Sequence, residues 1–496
     1  MTALPAGVHE LSFTGPPQPA DPAPLTVTFT QDGTGREILG FWDGGRNYLA
    51  RFSPSSAGTW RWRTRSEEPA LDGLSGEIEA AEPAGPGPVQ VVDTYHFAHA
   101  DGTPFRPVGT TVYNWIHQEP ELRSRTLEAV SDAGFNKLRF MVFPQGGGYV
   151  EHVPELMPFE RDSAGRWDTS RPVSAYFRQL DDAVMSLAGR GVVADVLLLS
   201  AYSADFGLDA LTEEEDATYL RYVVARLGAY PNVWWSLCNE FDILGRPVQR
   251  WDRLGELLAR IDGHQRLRSI HNWVEFFDHN RPWVTHASIQ DGASVAEPGR
   301  ASAYRDAYLK PIVLDEIKYE GDVPLRWGHL SARELVHRFW VATVSGCYAS
   351  HGESFVKANG SLHMVDGGPF RGMSPARLDF LRRILDALHI AGLDPIDKWD
   401  DPEYVAGQAR RQYVRYFGRS APATWTFRLP QGHHGERLEV GDQFQVDIID
   451  TWNMTVLPVE RTFTLTEVHR NDAFADGPPL LLPEGEAIAL RITRRQ

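Results

Sequence analysis

Between about residues 89 and 397, short apolar runs alternate with amphipathic segments, and this alternation constrains the fold more than any other feature of the chain. The segments with helical spacing of apolar residues often end in glycine, as helices do. Repeated strand–helix units predict a parallel sheet, and eight strands in about 300 residues predict an α/β fold of the (β/α)8, or TIM, barrel type. The eight runs with the composition of buried strands are FRPVGTTVYN, FNKLRFMVFP, GVVADVLLLS, NVWWSLCNE, LRSIHNW, WVTHASIQ, PIVLDEIKYE and GCYASHGES.

An open doubly wound sheet is the alternative to the barrel. That fold binds its ligand at a glycine-rich phosphate loop or a topological switch point, and the chain contains no GxGxxG or P-loop motif. The weakest unit of the barrel prediction is the fifth, because VEFFDHNRP, which joins the fifth and sixth strands, is too short for a full helix.

Both flanks of the barrel segment alternate polar and apolar residues with the period of two that antiparallel strands require. LTVTFT, REILGFWDG, NYLARFSP, GTWRWRTRS and SGEIEAAE come before it, and RQYVRYFG, ATWTFRLP, FQVDIIDTW, RTFTLTEV and AIALRITRR come after it. The Pro- and Gly-rich linker AEPAGPGP ends the first flank. We therefore predict an antiparallel β-sandwich over residues 1–88, the barrel over 89–397 and a second β-sandwich over 398–496.

Composition excludes several classes of function. The formal net charge of −17 disfavours binding to nucleic-acid backbones or anionic lipid. The two cysteines, Cys238 and Cys347, form no CxxC pair, so no zinc site is indicated. The start, MTALPAGVHELSF, lacks the pattern of a signal peptide, and no apolar stretch is long enough to cross a membrane. We expect a cytoplasmic protein with no cofactor, no metal and no nucleic-acid or membrane partner; whether it forms a homo-oligomer stays open.

In a (β/α)8 barrel the active site lies at the C-terminal ends of the strands, so the residues that finish each strand are the candidates. They are Tyr113, Asn114 and Trp115 for strand 1, Arg139 for strand 2, Asn239 and Glu240 for strand 4, His271, Asn272 and Trp273 for strand 5, His286 and Gln290 for strand 6, Asp315 and Glu316 for strand 7, and His351 and Glu353 for strand 8.

Glu240 and Glu316 are the candidate catalytic pair. One carboxyl group can protonate a leaving oxygen while the other attacks an anomeric carbon. Retaining glycoside hydrolysis needs the two groups about 5–5.5 Å apart, with the acid's pKa raised and the nucleophile ionised. Arg139 is placed to keep Glu316 ionised, and Asn239 offers a donor and an acceptor for a sugar hydroxyl.

Taken singly, each of these residues also has an ordinary interpretation. A Glu that ends a strand is usually solvated, and Trp or Tyr is as often core as binding surface. The histidines have no HxH or HExxH spacing, so hydrogen-bonded histidines are favoured over metal ligands. Asp315 is expected to support the barrel rim. The joint pattern, with two Glu residues on strands 4 and 7 and polar or aromatic ends on nearly every strand, favours catalysis.

The motifs WSLCNEFD and IVLDEIKYEG are similar to the acid/base and nucleophile strands of the retaining (β/α)8 glycoside hydrolases of clan A, such as glycoside hydrolase family 5. Across nearly the whole chain, GTTVYNWIHQ, YLRYVVARLGAYPNVWWSL, DHNRPWVTHASIQ, GCYASHGESF and SPARLDFLRRIL resemble a bacterial family of candidate glycoside hydrolases with an apiosidase-like barrel between two β-sandwiches.

The resemblance implies that Glu240 is the acid/base and Glu316 the nucleophile. It also implies that the following residues line the substrate site: Tyr113, Trp115, His117, Gln118, Arg139, Asn239, His286, His351 and Glu353. Trp273 joins them from its place at the end of strand 5. After strand 3 the family tends to read HPYD followed by WGF, whereas this chain reads SAYSADFGL with Phe206 as the aromatic, so the substrate is less transferable than the mechanism.

The leading hypothesis is a retaining glycosidase that removes sugars from the ends of plant or microbial oligosaccharides. The preference for chain ends rests on the lack of a long cleft insert and on an N-terminal domain that could wall off one side of the mouth. The main alternative is a carbohydrate-binding protein on an inactive barrel, which a wide separation of the two carboxylates would favour. Metal-dependent hydrolysis is a third idea, without ligand spacing to support it. The sugar, its ring form and its linkage stay open.

Overall fold

The structure is a computed structural model of the chain and describes residues 2–4, 7–82, 85–150, 153–297, 299–396, 404–432 and 436–495. The predicted boundary at 397/398 lies outside these residues. None of the described helices combines the length and the apolar composition that crossing a membrane requires.

The central domain is a closed parallel barrel, as predicted. Its strands are β1 (Val108–Thr111), β2 (Lys137–Met141), β3 (Val193–Ser200), β4 (Val233–Asn239), β5 (Arg268–Ser269), β6 (Ala287–Gln290), β7 (Ile312–Glu316) and β8 (Tyr348–His351). Within the described residues they pair in the order β5-β4-β3-β2-β1-β8-β7-β6. A parallel bridge between His271 and Ser288 joins β5 to β6 and closes the ring. All eight predicted strands are present, although β5 is only two residues long.

Helices follow the strands of the barrel. They are α1 (Pro120–Asp132), α2 (Ser174–Ala188), α3 (Glu213–Leu227), α4 (Val248–Ile261), α5 (Ser302–Tyr308), α6 (Ala332–Val344), α7 (His363–Asp366) and α8 (Ser374–Asp386). Short 3-10 helices follow β1, β3 and β4, at Trp115–His117, Ala201–Phe206 and Phe241–Leu244. The connection from β5 to β6, which is described throughout, contains no helix, as its length predicted.

A small antiparallel sheet covers the N-terminal end of the barrel. Its strands are Val89–Val92, His96–His99 and Pro104–Phe105. Phe97 and Phe105 pack with Trp234 of β4 and Val313 of β7, which lie where these strands begin. This sheet is not apparent in the sequence pattern, and it leaves the opposite, C-terminal end of the barrel as the open mouth.

The N-terminal domain is an antiparallel sheet that folds onto itself. In the described part its strands run in the order Thr2–Leu4, Val8–Thr14, Asn47–Phe52, Thr34–Trp42, Leu25–Gln31, Gly58–Ser66, Ser75–Ala80. The strand Thr34–Trp42 changes partner along its length, so the two halves of the sheet face each other, and Phe29 stacks on Phe52 with ring centroids 3.9 Å apart. The buried Arg51–Asp181 ion pair, at 2.7 Å, ties this domain to α2.

The C-terminal domain is also antiparallel and has its own core. Its described strands are Asp394–Pro395, Tyr404–Gln408, Gln412–Tyr416, Thr424–Trp425, Arg428–Pro430, Gln443–Asp450, Thr455–Pro458, Phe463–Val468, Asp472–Ala475, Leu480–Leu481 and Ile488–Arg494. Phe427 and Phe463 stack at its centre, with ring centroids 4.6 Å apart. The predicted fold class, a TIM barrel flanked on both sides by antiparallel β domains, is confirmed.

Candidate active site

Two carboxyl groups converge at the mouth of the barrel. Glu240 directly follows β4 and Glu316 ends β7, and both are buried, with 5% and 6% of their surface exposed. The side-chain nitrogen of Gln290, oriented toward them, lies 2.8 Å from Glu240 Oε1 and 3.0 Å from Glu316 Oε2. Because both oxygens lie so close to one nitrogen, they are less than about 6 Å apart.

Glu240 is held in a strained turn and favours its protonated form. Its backbone lies in the left-handed region, with φ 52° and ψ 58°, which non-glycine residues rarely adopt and which is often found at functional sites. The hydroxyl of Tyr202, from the loop after β3, donates to Glu240 Oε2. Burial and the negative charge of Glu316 together raise the pKa of Glu240 well above that of a solvated Glu.

Glu316 is stabilised as a carboxylate. Tyr113 donates its hydroxyl proton to Glu316 Oε1 at 2.6 Å, Arg139 Nη1 donates to the same oxygen at 3.4 Å, and His271 Nε2 lies 3.3 Å from it. Burial alone would raise the pKa of Glu316, but the interactions with His271, Arg139 and Tyr113 lower it below its usual range. The two carboxyl groups are therefore shifted in opposite directions, as an acid and a nucleophile require.

A buried ionic network below the pair holds these residues in place. Arg139 Nη2 donates to Asn239 Oδ1 at 3.0 Å, which links the β2 and β4 strand ends. Lys137 Nζ donates to Asp195 and Asp315 at 2.7 Å each. Asp315 therefore lies in the barrel interior, not at the rim, and the expectation that it supports the rim is wrong.

The structure brings Tyr113, Arg139 and Asn239 to the Glu240–Glu316 pair, as their strand-end positions predicted. Trp273 lies beyond them at the mouth, with 52% of its surface exposed.

Three predicted residues after β1 do not reach the pair. Trp115 is a core residue that packs edge-on against Phe140, because the 3-10 helix Trp115–His117 turns it away from the mouth. His117 stacks on Tyr176 of α2, with ring centroids 5.9 Å apart. Gln118 donates to the carbonyl of Asn114 at 3.2 Å within its own turn.

His286 lies at the wrong end of the barrel. It precedes β6, and its ring contacts Phe97 and Trp234 at the N-terminal opening, with ring centroids 5.8 and 4.9 Å away. Burial lowers its pKa to about 3, so it is neutral. The prediction that His286 lines the site is wrong. Because His286 lies before the start of β6, its side chain is at the end of the barrel opposite the mouth.

His351 points out of the barrel. Ser350 donates to Asp315 in the interior at 2.7 Å, and because neighbouring residues of a strand face opposite sides, His351 faces outward and stacks on Phe135. Its prediction as a residue lining the site is therefore also corrected.

Glu353 belongs to a second buried carboxylate cluster. Its oxygens accept the backbone N–H groups of Arg371 and Gly372 at 2.9 and 2.8 Å, while Glu320 accepts those of Met373 and Ser374 at 2.9 and 3.1 Å. Burial and the charge of Glu320 raise the pKa of Glu353 to about 7.

The ligand atoms of Glu320, Glu353 and His351 lie within 4.8 Å of one another, which is compatible with a metal ion. All four carboxylate oxygens, however, accept N–H groups of residues 371–374 at the start of α8, where the helix dipole favours negative charge. The geometry therefore describes a cap for α8, and the prediction that Glu353 lines the site is corrected.

Three residues complete the site without having been assigned to it. His271 and Gln290 both stood among the strand ends, and their position was the signal that could have selected them. Tyr202 lies in the loop SAYSADFGL, in which the comparison with the family pattern points to Phe206 as the aromatic residue. The carbonyl of Phe206 accepts from Trp167 Nε1 at 2.6 Å.

A (β/α)8 barrel with two oppositely shifted carboxyl groups at the ends of its fourth and seventh strands defines the class of barrel glycoside hydrolases. Residues 92–358 match the family described as apiosidase-like, catalytic domain, which is more than half of the chain. The chain belongs to this family. Residues 7–67 and 399–492 match two domains of unknown function, DUF5060 and DUF5605.

Solved structures agree with this assignment. A candidate glycoside hydrolase from Bacteroides vulgatus ATCC 8482 is 34% identical to this chain, with 98% of each chain covered and a TM-score of 0.93. A glycoside hydrolase family 5 protein from the same organism, at 15% identity and a TM-score of 0.60, covers 82% of this chain and 93% of its own and supports the fold alone. No functionally curated protein matches. The predicted resemblance to barrel glycoside hydrolases with flanking β domains is confirmed.

Proposed function

We propose that the protein is a retaining glycoside hydrolase that releases sugars from the ends of plant or microbial oligosaccharides, with Glu240 as acid/base and Glu316 as nucleophile. One observation carries this proposal: the paired oxygens of Glu240 and Glu316 are less than about 6 Å apart and their pKa values are shifted in opposite directions. Retaining enzymes hold their carboxyl groups about 5–5.5 Å apart, whereas inverting enzymes need about 6.5–9.5 Å to admit a water molecule.

In the first step Glu316 attacks the anomeric carbon and the bond to the leaving oxygen breaks, while Glu240 gives its proton to that oxygen. The ester that forms has no negative charge on Glu316. Glu240 is now ionised and no longer faces that charge, so it can accept a proton from a water molecule. The water oxygen attacks the anomeric carbon, the ester bond breaks, and the sugar and the Glu316 carboxylate are released. Tyr113, Arg139 and His271, which contact Glu316 Oε1, hold the nucleophile in position.

An apolar cluster supports action at chain ends. It packs residues from the segments that follow β7, β8 and β2, such as Tyr319, Leu362, Met364 and Tyr149, around Tyr113, which contacts Glu316. We infer that this cluster closes its side of the mouth to a chain that extends past the scissile bond. We infer that the terminal sugar lies beneath it and that the rest of the substrate leaves on the β4–β6 side.

Asn239 is the candidate contact to the terminal sugar. Its Oδ1 accepts from Arg139, whereas its Nδ2 has no hydrogen-bond partner in the described part of the protein although it is buried. A sugar hydroxyl placed beside Glu240 would satisfy this donor, and an unsatisfied buried donor costs about 1–3 kcal/mol.

The test uses Glu240→Gln and Glu316→Gln on a panel of nitrophenyl and dinitrophenyl glycosides. The panel includes pyranosides and furanosides, apiose and arabinofuranose among them, because the same two carboxyl groups serve either ring form. Glu316→Gln should lose turnover of every substrate. Glu240→Gln should lose about a hundred- to ten-thousandfold with nitrophenyl leaving groups and much less with dinitrophenyl ones, which depart without a proton.

Glu353→Gln is the matched control, because it changes a buried Glu outside the pair and should keep activity. Near-normal turnover in either catalytic variant would contradict the assignment, and a product whose anomeric configuration is inverted, seen by proton NMR, would contradict retention. Products longer than one sugar would contradict action at chain ends.

The alternative, a carbohydrate-binding protein, predicts sugar binding by calorimetry with no turnover by the wild type. The short separation of the two carboxyl groups argues against this alternative.

A further inference from the structure

Three apolar side chains stand exposed on the loop that follows β5. Trp273, Val274 and Phe276 have 52%, 62% and 50% of their surface exposed. Single exposed apolar residues are common on protein surfaces. Three within four residues, on a loop of the barrel mouth, form a patch of the kind that marks a binding surface.

The loop is held rigid by the carboxylate of Asp242. Its Oδ1 accepts the backbone N–H of Trp273 at 2.6 Å, and its Oδ2 accepts those of Val274 and Glu275 at 2.7 and 2.8 Å. Hydrogen bonds to an ionised acceptor are about twice as strong as neutral ones. The apolar side chains are therefore presented on an ordered backbone.

The outer end of the loop is fixed by aromatic packing. The ring of Phe276 packs against Tyr304, with ring centroids 5.6 Å apart, and the hydroxyl of Tyr304 donates to Asp291 at 2.5 Å. Phe276 is thus anchored on one side by Tyr304, while half of its surface stays exposed.

The patch lies beside the proposed acid. Asp242 follows Glu240 by two residues, which is at most about 7 Å of extended chain, and its side chain touches the backbone of Trp273. Trp273 in turn follows His271, which contacts Glu316, by two residues. The apolar cluster around Tyr113 is built from other segments and includes none of the patch residues.

We propose that Trp273 and Phe276 form a platform for the sugar ring of the leaving group, so that the substrate is a glycoside whose aglycone is itself a saccharide. This rests on the proposed function. The acid protonates the glycosidic oxygen, so the leaving group must depart on the side of Glu240. The C–H face of a sugar ring is apolar and flat, and it packs on an exposed indole ring while the hydroxyl groups at its edge stay in water.

The test compares two substrates that share a glycone and differ only in the leaving group. One is the glycosyl fluoride of the sugar that the nitrophenyl panel selects, whose leaving group is too small to touch the platform. The other is a disaccharide with the same sugar at its non-reducing end. Trp273→Ala should reduce kcat/KM for the disaccharide about ten- to hundredfold more than for the fluoride.

Trp273→Phe keeps an aromatic face and should recover most of the loss. Leu481→Ala, which changes an exposed apolar residue of the C-terminal domain, is the control and should leave both substrates unchanged. Thermal unfolding of each variant shows whether the fold is kept. If Trp273→Ala unfolds, Phe276→Ala replaces it, and a larger loss of kcat/KM for the disaccharide than for the fluoride again supports the platform. Equal loss for the fluoride and the disaccharide would overturn the platform while the proposed function stands. No turnover of any glycoside by the wild type would overturn the proposed function itself.

Discussion

Removing the charge of Glu316 should lower the pKa of Glu240. In the Glu316→Gln variant the side chain keeps its size and loses its negative charge. That charge disfavours ionisation of Glu240, so its loss makes ionisation easier and the pKa falls. The prediction tests the electrostatic coupling on which the proposed double displacement depends, because formation of a glycosyl ester on Glu316 removes the same charge.

The magnitude follows from the geometry. The nearest oxygens of the two groups are less than about 6 Å apart, since both contact the Gln290 nitrogen. Two unit charges about 5.5 Å apart in a medium of effective dielectric constant about 20 interact by about 3 kcal/mol. One pKa unit corresponds to about 1.4 kcal/mol, so the pKa of Glu240 should fall by about two units.

Carbon NMR of protein labelled at the Glu side-chain carboxyl carbon measures this titration directly. The signal of Glu240 is assigned by its disappearance in Glu240→Gln. Glu353→Gln, which removes a buried Glu elsewhere, should leave the Glu240 titration where it is in the wild type. A Glu240 pKa that stays unchanged in Glu316→Gln would refute the coupling and, with it, the switch of Glu240 from acid to base.

Two further predictions concern pH. Tyr202→Phe removes a hydrogen bond that lowers the pKa of Glu240, so the fall of kcat/KM at high pH should move to still higher pH, and a shift toward lower pH would contradict this. Glu353 has a pKa raised from 4.5 to about 7 by folding, so its protonated form stabilises the fold below pH 4.5 and this contribution is lost as the pH rises through 7. Urea unfolding measures the free energy of unfolding at pH 5 and at pH 8. Between these two values it should decrease by up to about 3 kcal/mol more in the wild type than in Glu353→Gln. An equal decrease in both proteins would contradict the prediction.

The barrel and the centre of its site follow from the sequence because the barrel imposes a geometric rule. Parallel strands end at one edge, so residues that finish separate strands must meet there. This rule needs only the positions at which the strands end. It correctly predicts that four residues lie close together: Glu240, Glu316, Arg139 and Asn239. The same rule places His271 and Gln290 among the strand-end candidates. Their roles depend on hydrogen bonds in the folded protein, which the order of residues in the sequence does not show.

The errors on the two histidines, His286 and His351, have a common physical origin. Both the strand ends and the family resemblance point to His286 and His351, but the position along the strand and the direction of the side chain decide whether a residue reaches the mouth. β6 begins only at Ala287, which leaves His286 at the bottom, and the alternation along β8 sends Ser350 inward and His351 outward. The prediction that Glu353 lines the site is wrong for another reason: its partners, the backbone N–H groups of Arg371 and Gly372 before α8, are distant in sequence, and no pattern of side chains reveals them.

The charge balance of the barrel interior explains why Glu240 favours its protonated form, as the proposed acid must. Lys137 and Arg139 are buried cations that face three buried carboxylates, Asp195, Asp315 and Glu316. Ionising Glu240 in the free enzyme would add a fourth negative charge in a medium that screens charge weakly, so Glu240 keeps its proton. In the proposed mechanism the ester on Glu316 removes one of the three carboxylate charges, and Glu240 can then ionise without exceeding the original balance. The switch from acid to base therefore needs no movement of Glu240, only the covalent step itself.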